Sequence, residues 1–164
     1  ACSRLTHGHP RCQLACVMLT EIVACLVRGS SFEEALVEGR DVLRENLDSR
    51  FPKETAAFER LLSPALTDLD EPDVSSSGYV IHCLEASLWC TRRAESSREG
   101  VLAAVNLGDD TDTTGAVAGA LLGLRFGHSQ IPNDWSETLA RLSDVRALIE
   151  RFQGACLQVW RANI

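Results

Sequence analysis

The sequence predicts an all-α fold. Apolar residues recur at helical spacing along almost the whole chain, and no segment keeps the strict alternation of a β-strand. Ser31 and Ser96 each precede a glutamate by three residues, which is typical of a capping box at a helix start. The 164 residues suffice for about one domain, and a 45% hydrophobic content is enough to form a core. We therefore expect residues 1–164 to form a single all-α domain.

The first part of the chain predicts three helices. Pro10 suits the first position of a helix, and the apolar pattern behind it continues until Gly29, a typical C-terminal stop. A second helix follows Ser31, and a shorter third helix begins near Pro52. Residues 63–77 hold two prolines among acidic and serine residues, so we expect a long loop there.

The second part of the chain predicts four further helices. One follows Gly78, one follows Ser96, and an amphipathic one lies beyond Pro132. Between them, the acidic loop 109–114 precedes a helix with glycine at every fourth position, at Gly115, Gly119 and Gly123. Each glycine costs about 0.5–1 kcal/mol relative to alanine in a helix interior. We therefore expect this stripe to admit a neighbouring backbone and its helix to lie buried in the middle of the bundle.

Charge and cysteine content restrict the partners and the setting. With 16 Lys and Arg against 23 Asp and Glu, the formal net charge of −7 is a poor match to a phosphate backbone, so we expect no nucleic acid partner. We identify residues 115–124 as the longest nearly uncharged apolar stretch, too short for a membrane span, and expect no membrane contact and no signal peptide. Seven cysteines without a Cys-x-x-Cys pair predict reduced thiols, packed as small hydrophobes in a cytoplasmic protein.

The acidic loop is a candidate metal site. Asp109, Asp110 and Asp112 lie within four residues, and no Lys or Arg lies between positions 102 and 124. Carboxylates this close repel one another unless water or a cation screens them. Carboxylate and hydroxyl oxygens suit Mg²⁺, Mn²⁺ or Ca²⁺ rather than zinc. In a turn that enters a helix, the ligands would be Asp110, Asp112 and the Thr113 hydroxyl.

The same loop permits other interpretations. Asp112 or Thr113 could cap a helix that starts at Thr114, with the remaining carboxylates solvated. An EF-hand is excluded, because its twelfth position would be Leu121 where a bidentate glutamate is required. The nucleophile loop of haloacid-dehalogenase-type phosphatases is disfavoured, because it follows a buried strand and no strand series is predicted here.

Several segments resemble the ADP-ribosylglycohydrolases, including the dinitrogen-reductase-activating glycohydrolase type. They are residues 3–7, 76–86 and 104–113, the glycine-rich helix, and Ile131-Pro132-x-x-Trp135, in the family's order over nearly the whole chain. At Asp109 many members have glycine. The resemblance implies a compact orthogonal multi-helix bundle with two Mg²⁺ or Mn²⁺ ions that hold ADP-ribose.

The resemblance also implies residue roles. Asp110, Asp112 and Thr113 are similar to the family's C-terminal metal ligands, and His7 is similar to the residue that approaches ADP-ribose. We expect His82, on an apolar helix face, to be a core histidine.

The family's other ligands lie in an N-terminal paired-aspartate motif that this sequence lacks. We therefore expect the chain to be the C-terminal half of one domain, with the missing N-terminal half as its partner. The implied activity is hydrolysis of the glycosidic bond between ADP-ribose and a protein side chain. The alternative is a non-catalytic member, either crystallin-like or an ADP-ribose-binding scaffold.

Overall fold

The computed structural model describes residues 2–162 and is helical, with no strand in this range, which confirms the all-α prediction. The residues cluster into two units, 1–130 and 131–164, and the one-domain organisation stays a prediction. The first unit contains α1 (Pro10–Val27), α2 (Phe32–Arg50), α3 (Glu59–Leu62), α4 (Val80–Arg93), α5 (Ser97–Asn106) and α6 (Thr111–Phe126). The second unit contains α7 (Asn133–Thr138) and α8 (Leu142–Ala162).

The first two helices begin and end where the sequence predicts. Pro10 is the first residue of α1, and Gly29, with φ +93°, follows its end. At the start of α2 the capping box is complete. The Ser31 hydroxyl accepts from the Glu34 amide at 3.2 Å, and the Glu34 carboxylate accepts from the Ser31 amide at 2.8 Å.

The predicted third helix is mostly a 3₁₀ segment. Residues Pro52–Phe58 are 3₁₀, and only the single turn α3 is α-helical. The Thr55 hydroxyl donates to the Pro52 carbonyl at 3.0 Å, a local bond that competes with α-helical pairing. The loop 63–77 contains two further 3₁₀ turns and is fastened to α4 by the Trp89 indole, which donates to the Leu69 carbonyl at 2.9 Å.

Helix α4 is the buried helix of the first unit. Ile81 and every residue from 83 to 91 are buried, whereas only four residues of α6 are. The prediction that the glycine-striped helix lies in the middle is therefore wrong. Its glycines offer little apolar area, whereas the Ile, Leu and Trp side chains of α4 gain far more from burial.

The glycine stripe of α6 does admit a neighbour, but only along part of its length. A Cβ at Gly115 would lie 3.0 Å from a methyl of Val105, and one at Gly119 would lie 3.8 Å from Val101, both on α5. A Cβ at Gly123 would meet nothing within 4 Å. Of the three glycines, only Gly115 and Gly119 therefore face α5 at contact distance.

The tightest glycines lie elsewhere. A Cβ at Gly39 on α2 would lie 2.6 Å from Ile22 of α1. A Cβ at Gly100 on α5 would lie 2.6 Å from Leu122 of α6 and 2.9 Å from the Cβ of Ala94. These two positions set the distances between neighbouring helices, and the sequence pattern did not single them out.

Helix α1 is long and apolar enough to cross a membrane by length and composition alone. It is also longer than residues 115–124, so the expectation about the longest apolar stretch is wrong. One face of α1 is buried in the first unit, at Leu14, Ala15, Met18, Ile22 and Cys25. A helix that packs into a core meets the same criteria, so they are weak evidence for a span.

An ion pair between a buried glutamate and a partly exposed arginine joins α3 to α4. The Glu85 carboxylate, 2% exposed as a residue, lies 3.2 Å from the Arg60 guanidinium, which also donates to the Asp73 carbonyl at 2.8 Å. Burial raises the pKa of Glu85, and the opposing charge of Arg60 offsets only part of this rise. Burial therefore destabilises the charged form of Glu85 by more than the pairing with Arg60 stabilises it.

We expect Gly100→Ala to destabilise the fold by about 1–3 kcal/mol, because the new Cβ overpacks against Leu122 and Ala94. The matched control is Gly123→Ala, whose Cβ has free space, and we expect it to be neutral or to stabilise by about 0.5–1 kcal/mol. Urea unfolding of both variants measures the difference. Equal free energies of unfolding would contradict the tight packing at Gly100.

We expect Glu85→Gln to be as stable as the wild type near pH 4 and more stable by about 1 kcal/mol at pH 7.5. Because the folded-state pKa is raised, the cost of the charged carboxyl is absent below its unfolded pKa and complete above its folded pKa. Glu38→Gln, at an exposed position, controls for the change in net charge. Unfolding free energies across this pH range provide the test. A loss of stability at pH 7.5 would show that the Arg60 pairing outweighs the burial.

Candidate functional site

The acidic loop is a tight turn between α5 and α6. Gly108 has φ +86° and Asp109 has φ +52°, so two successive residues occupy the left-handed region. Glycine adopts this region without strain and aspartate adopts it more readily than most residues. The backbone at Asp109 therefore also suits a glycine.

The predicted ligands lie at the start of α6. Asp110 is the residue before the helix, and Asp112 and Thr113 lie in its first turn. The interpretation in which Asp112 or Thr113 caps a helix starting at Thr114 is therefore wrong, because the helix begins at Thr111. A hydrogen bond from the Thr113 side chain lowers the pKa of the Asp110 carboxyl, so this group is anionic at neutral pH.

The segment before α4 holds this turn in place. The Ser76 carbonyl accepts from the Asp110 amide at 3.2 Å, and the Ser76 hydroxyl donates to the Gly108 carbonyl at 2.8 Å. A Cβ at Gly78 would lie 2.8 Å from Oδ2 of Asp110. Sequence reasoning placed Ser76 and Gly78 in a matching segment but assigned neither of them a role at the acidic loop.

A cavity of about 600 Å³ lies beside the turn, within the first unit. His7, from the N-terminal segment, and Thr113, from the start of α6, both line it. Asp110 and Asp112 do not line it, but Gly78, against which the Asp110 carboxylate lies, does. The structure thus brings the predicted substrate residue His7 and one predicted metal ligand, Thr113, to the same cavity, with Asp110 against its wall at Gly78.

Polar side chains form one wall of the cavity. The Arg11 guanidinium donates to the Glu54 carboxylate at 2.6 Å and to the Tyr79 hydroxyl at 3.0 Å. The Tyr79 ring meets the His82 ring edge-on, with the centroids 5.0 Å apart, and Nδ1 of His82 lies 2.8 Å from the Ser77 hydroxyl. His82 is half-buried rather than fully buried in the core, but its ring is hydrogen-bonded, as expected of a core histidine. It supports Tyr79 at the cavity wall.

The cysteines divide into two groups. Cys25, Cys83 and Cys90 are buried as predicted, and burial raises the pKa of Cys90 to about 12, which leaves it an unreactive thiol. The packing prediction is wrong for Cys16 and Cys156, which are exposed. Cys12 is partly exposed and lines the cavity together with Cys16. The sequence could not separate the two groups, because both follow the same helical spacing.

The donor set at the acidic turn fits a hard divalent cation but does not complete a site. Two carboxylates and a hydroxyl are oxygen ligands of the type that Mg²⁺ and Mn²⁺ prefer. Gly78 leaves open the space beside the Asp110 carboxylate that a Cβ would fill. Within residues 2–162, no group of three or more His, Cys, Asp or Glu side chains is arranged to hold a metal ion. The donor chemistry fits a cation, but the described residues do not by themselves form a complete metal site.

The fold and the site define the class as an all-α protein with an acidic helix start beside an open cavity. The family model described as ADP-ribosylglycohydrolase matches residues 1–162. The chain belongs to the ADP-ribosylglycohydrolase family.

Three curated relatives extend the comparison. An ADP-ribosylarginine hydrolase Tri1 of Serratia proteamaculans (strain 568) is 30% identical over 152 residues, 91% of this chain and 38% of the relative. An ADP-ribosyl-[dinitrogen reductase] glycohydrolase of Rhodospirillum rubrum is 28% identical over 138 residues, 84% of this chain and 40% of the relative. The human ADP-ribosylhydrolase ARH3 is 27% identical over 104 residues, 63% of this chain and 25% of the relative. The chain thus spans about two fifths of the length of the first two.

We expect Asp109→Gly to leave the stability of the fold unchanged or slightly higher, because glycine adopts the left-handed conformation freely. Asp109→Val should destabilise it by about 1–2 kcal/mol, since a β-branched residue is strained there. Thermal unfolding of both variants provides the test. Equal midpoints for the two variants would contradict the left-handed turn.

Proposed function

We propose that this chain forms part of the active site of a metal-dependent hydrolase that removes ADP-ribose from modified protein side chains. The observation that carries the proposal is the shared cavity of His7 and Thr113, in a chain of the ADP-ribosylglycohydrolase family. The names of the relatives support it, because each is named for hydrolysis of an ADP-ribosyl linkage.

In this proposal Asp110, Asp112 and Thr113 would hold Mg²⁺ or Mn²⁺. Two such ions in the complete site would act as Lewis acids and orient the ribose hydroxyls and the attacking water. The hydrogen bond from Thr113 keeps the Asp110 carboxyl ionised, as a metal ligand must be. Nδ1 of His7 lies 2.9 Å from the Thr6 hydroxyl, so Nε2 is the nitrogen left to approach the ribose.

The charges at the cavity support a cation-assisted site. The diphosphate of ADP-ribose is anionic, and the protein has a net charge of −7. Arg11 is the one Arg or Lys among the described residues that line the cavity, and Glu54 already neutralises it. An anionic ligand therefore needs further positive charge, which divalent ions at the acidic turn would supply.

The remaining ligands would come from outside the described chain. Two carboxylates and a hydroxyl supply about three of the roughly six positions around Mg²⁺. The chain covers 38–40% of two relatives, so we propose that the N-terminal part of the domain completes the centre.

All seven cysteines are free, which supports a reducing, cytoplasmic setting.

We expect Asp110→Asn and Asp112→Asn, each in the complete protein that carries this chain, to lower hydrolysis of ADP-ribosylarginine by about 100-fold or more. Each variant removes one anionic ligand, and even indirect metal partners cost about 10–100-fold when lost. Asp109→Asn is the matched control, because asparagine also adopts the left-handed turn and Asp109 is not a proposed ligand. Turnover with added Mn²⁺, together with calorimetric titration of Mn²⁺, measures both effects.

The outcomes separate the competing functions. If Asp110→Asn and Asp112→Asn turn over substrate as fast as the control Asp109→Asn, Asp110 and Asp112 are not metal ligands. ADP-ribose binding by the wild type without hydrolysis, in the presence of Mn²⁺, would favour the non-catalytic scaffold over the hydrolase.

A further inference from the structure

We infer that Ser76 and Gly78 are positioning residues that fix the Asp110 carboxylate in the orientation needed to hold a cation. This inference rests on the proposed function, in which Asp110 is a metal ligand. Gly78 has no side chain, and the buried Ser76 hydroxyl already donates to the Gly108 carbonyl. Each acts through the turn at residues 108–110.

Ser76 fastens both ends of the turn. Its hydroxyl donates to the Gly108 carbonyl at 2.8 Å, and its carbonyl accepts from the Asp110 amide at 3.2 Å. Both partners lie outside the hydrogen-bond ladders of α5 and α6, so without Ser76 they would have to turn to water. Ser76 is 2% exposed, which keeps water from competing for these bonds. The serine therefore holds a two-residue left-handed turn that would otherwise open to solvent.

Gly78 determines where the Asp110 carboxylate lies. The three atoms nearest to a Cβ at Gly78 all belong to Asp110, namely Oδ2 at 2.8 Å, Cγ at 3.7 Å and Cβ at 4.0 Å. Gly78 does not have a positive φ, so its backbone would accept another residue. Space for the carboxylate is thus what requires glycine here, and any side chain would displace the carboxylate.

The segment that carries Ser76 and Gly78 is itself anchored to α4. Nδ1 of His82 lies 2.8 Å from the Ser77 hydroxyl and 3.1 Å from the Ser75 hydroxyl. The segment is therefore bonded to α4 on one side and to the acidic turn on the other. An Asp110 side chain held in this way loses less freedom when a cation binds, which raises the affinity.

The test uses Gly78→Ala and Ser76→Ala in the complete protein that carries this chain. Gly123→Ala, whose Cβ has free space, is the control for the glycine. Thr91→Val is the control for the serine, because it removes a buried hydroxyl that bonds to the Ser87 carbonyl and not to the turn. Three quantities are measured: Mn²⁺ affinity by calorimetry, hydrogen exchange of the Asp110 amide in EDTA, and the unfolding midpoint in EDTA.

We expect Gly78→Ala to weaken Mn²⁺ binding by about tenfold or more, as loss of an indirect metal partner does. Ser76→Ala should also speed exchange of the Asp110 amide by about tenfold, because the turn opens more often. Both controls should keep the wild-type Mn²⁺ affinity and the wild-type exchange rate of the Asp110 amide. Each variant and its control should have similar unfolding midpoints in EDTA.

Wild-type Mn²⁺ affinity and amide exchange in both folded variants would overturn the inference. If Gly78→Ala does not fold, Ser76→Ala decides alone. Failure of the wild type to bind Mn²⁺ would contradict the proposed function instead. Exchange of the Asp110 amide would still decide whether Ser76 holds the turn.

Discussion

Burial of α4 is the constraint on which both the core and the candidate site depend. Nine successive residues of this helix, from 83 to 91, are buried, so any rotation about its axis would disrupt close packing on every side. Its buried hydroxyls are satisfied inside the helix, with Ser87 donating to the Cys83 carbonyl and Thr91 to the Ser87 carbonyl, each at 2.7 Å. The axis and rotation of α4 are thereby fixed, and so is the position of the segment that directly precedes it.

Two carboxyl groups near α4 show how the environment assigns a role to each. Glu85 lies in the core, where burial raises its pKa and a partly exposed arginine compensates only in part. Asp110 lies at a helix start, where hydrogen bonding from Thr113 lowers its pKa. The first carboxyl connects α4 to α3 and to the loop before α4. The second remains an anion, which suits a ligand for a cation.

The sequence predicts the local features of this protein well. The start of α2 follows from Ser31 and Glu34, and the end of α1 from Gly29, because capping depends on neighbouring residues. The acidic loop is likewise visible as an unusual density of charge. The features that the sequence does not reveal depend on contacts between distant segments. Nothing local distinguishes Gly100, which is tight against Leu122, from Gly123, which touches nothing.

The same limit applies inside the candidate site. Asp110, Asp112 and Thr113 stand out because their chemistry is unusual for adjacent positions. Ser76 has no such signal, and only its bonds across the fold, to Gly108 and Asp110, give it a role. Residues that would hold a cation are thus easier to predict than residues that position them, since the former are chosen for their own chemistry.

Thr113 connects the two halves of the proposed chemistry. Its side chain lowers the pKa of the Asp110 carboxyl, and it also lines the cavity together with His7 from the N-terminal segment. Within the proposed function, a cation bound at the turn would therefore lie next to the cavity rather than apart from it. The chain has a net charge of −7, so an anionic diphosphate would bind most readily where positive charge is local. If the proposed function holds, metal binding would therefore precede tight binding of ADP-ribose, and the acidic turn would set the affinity of the cavity as well as its chemistry.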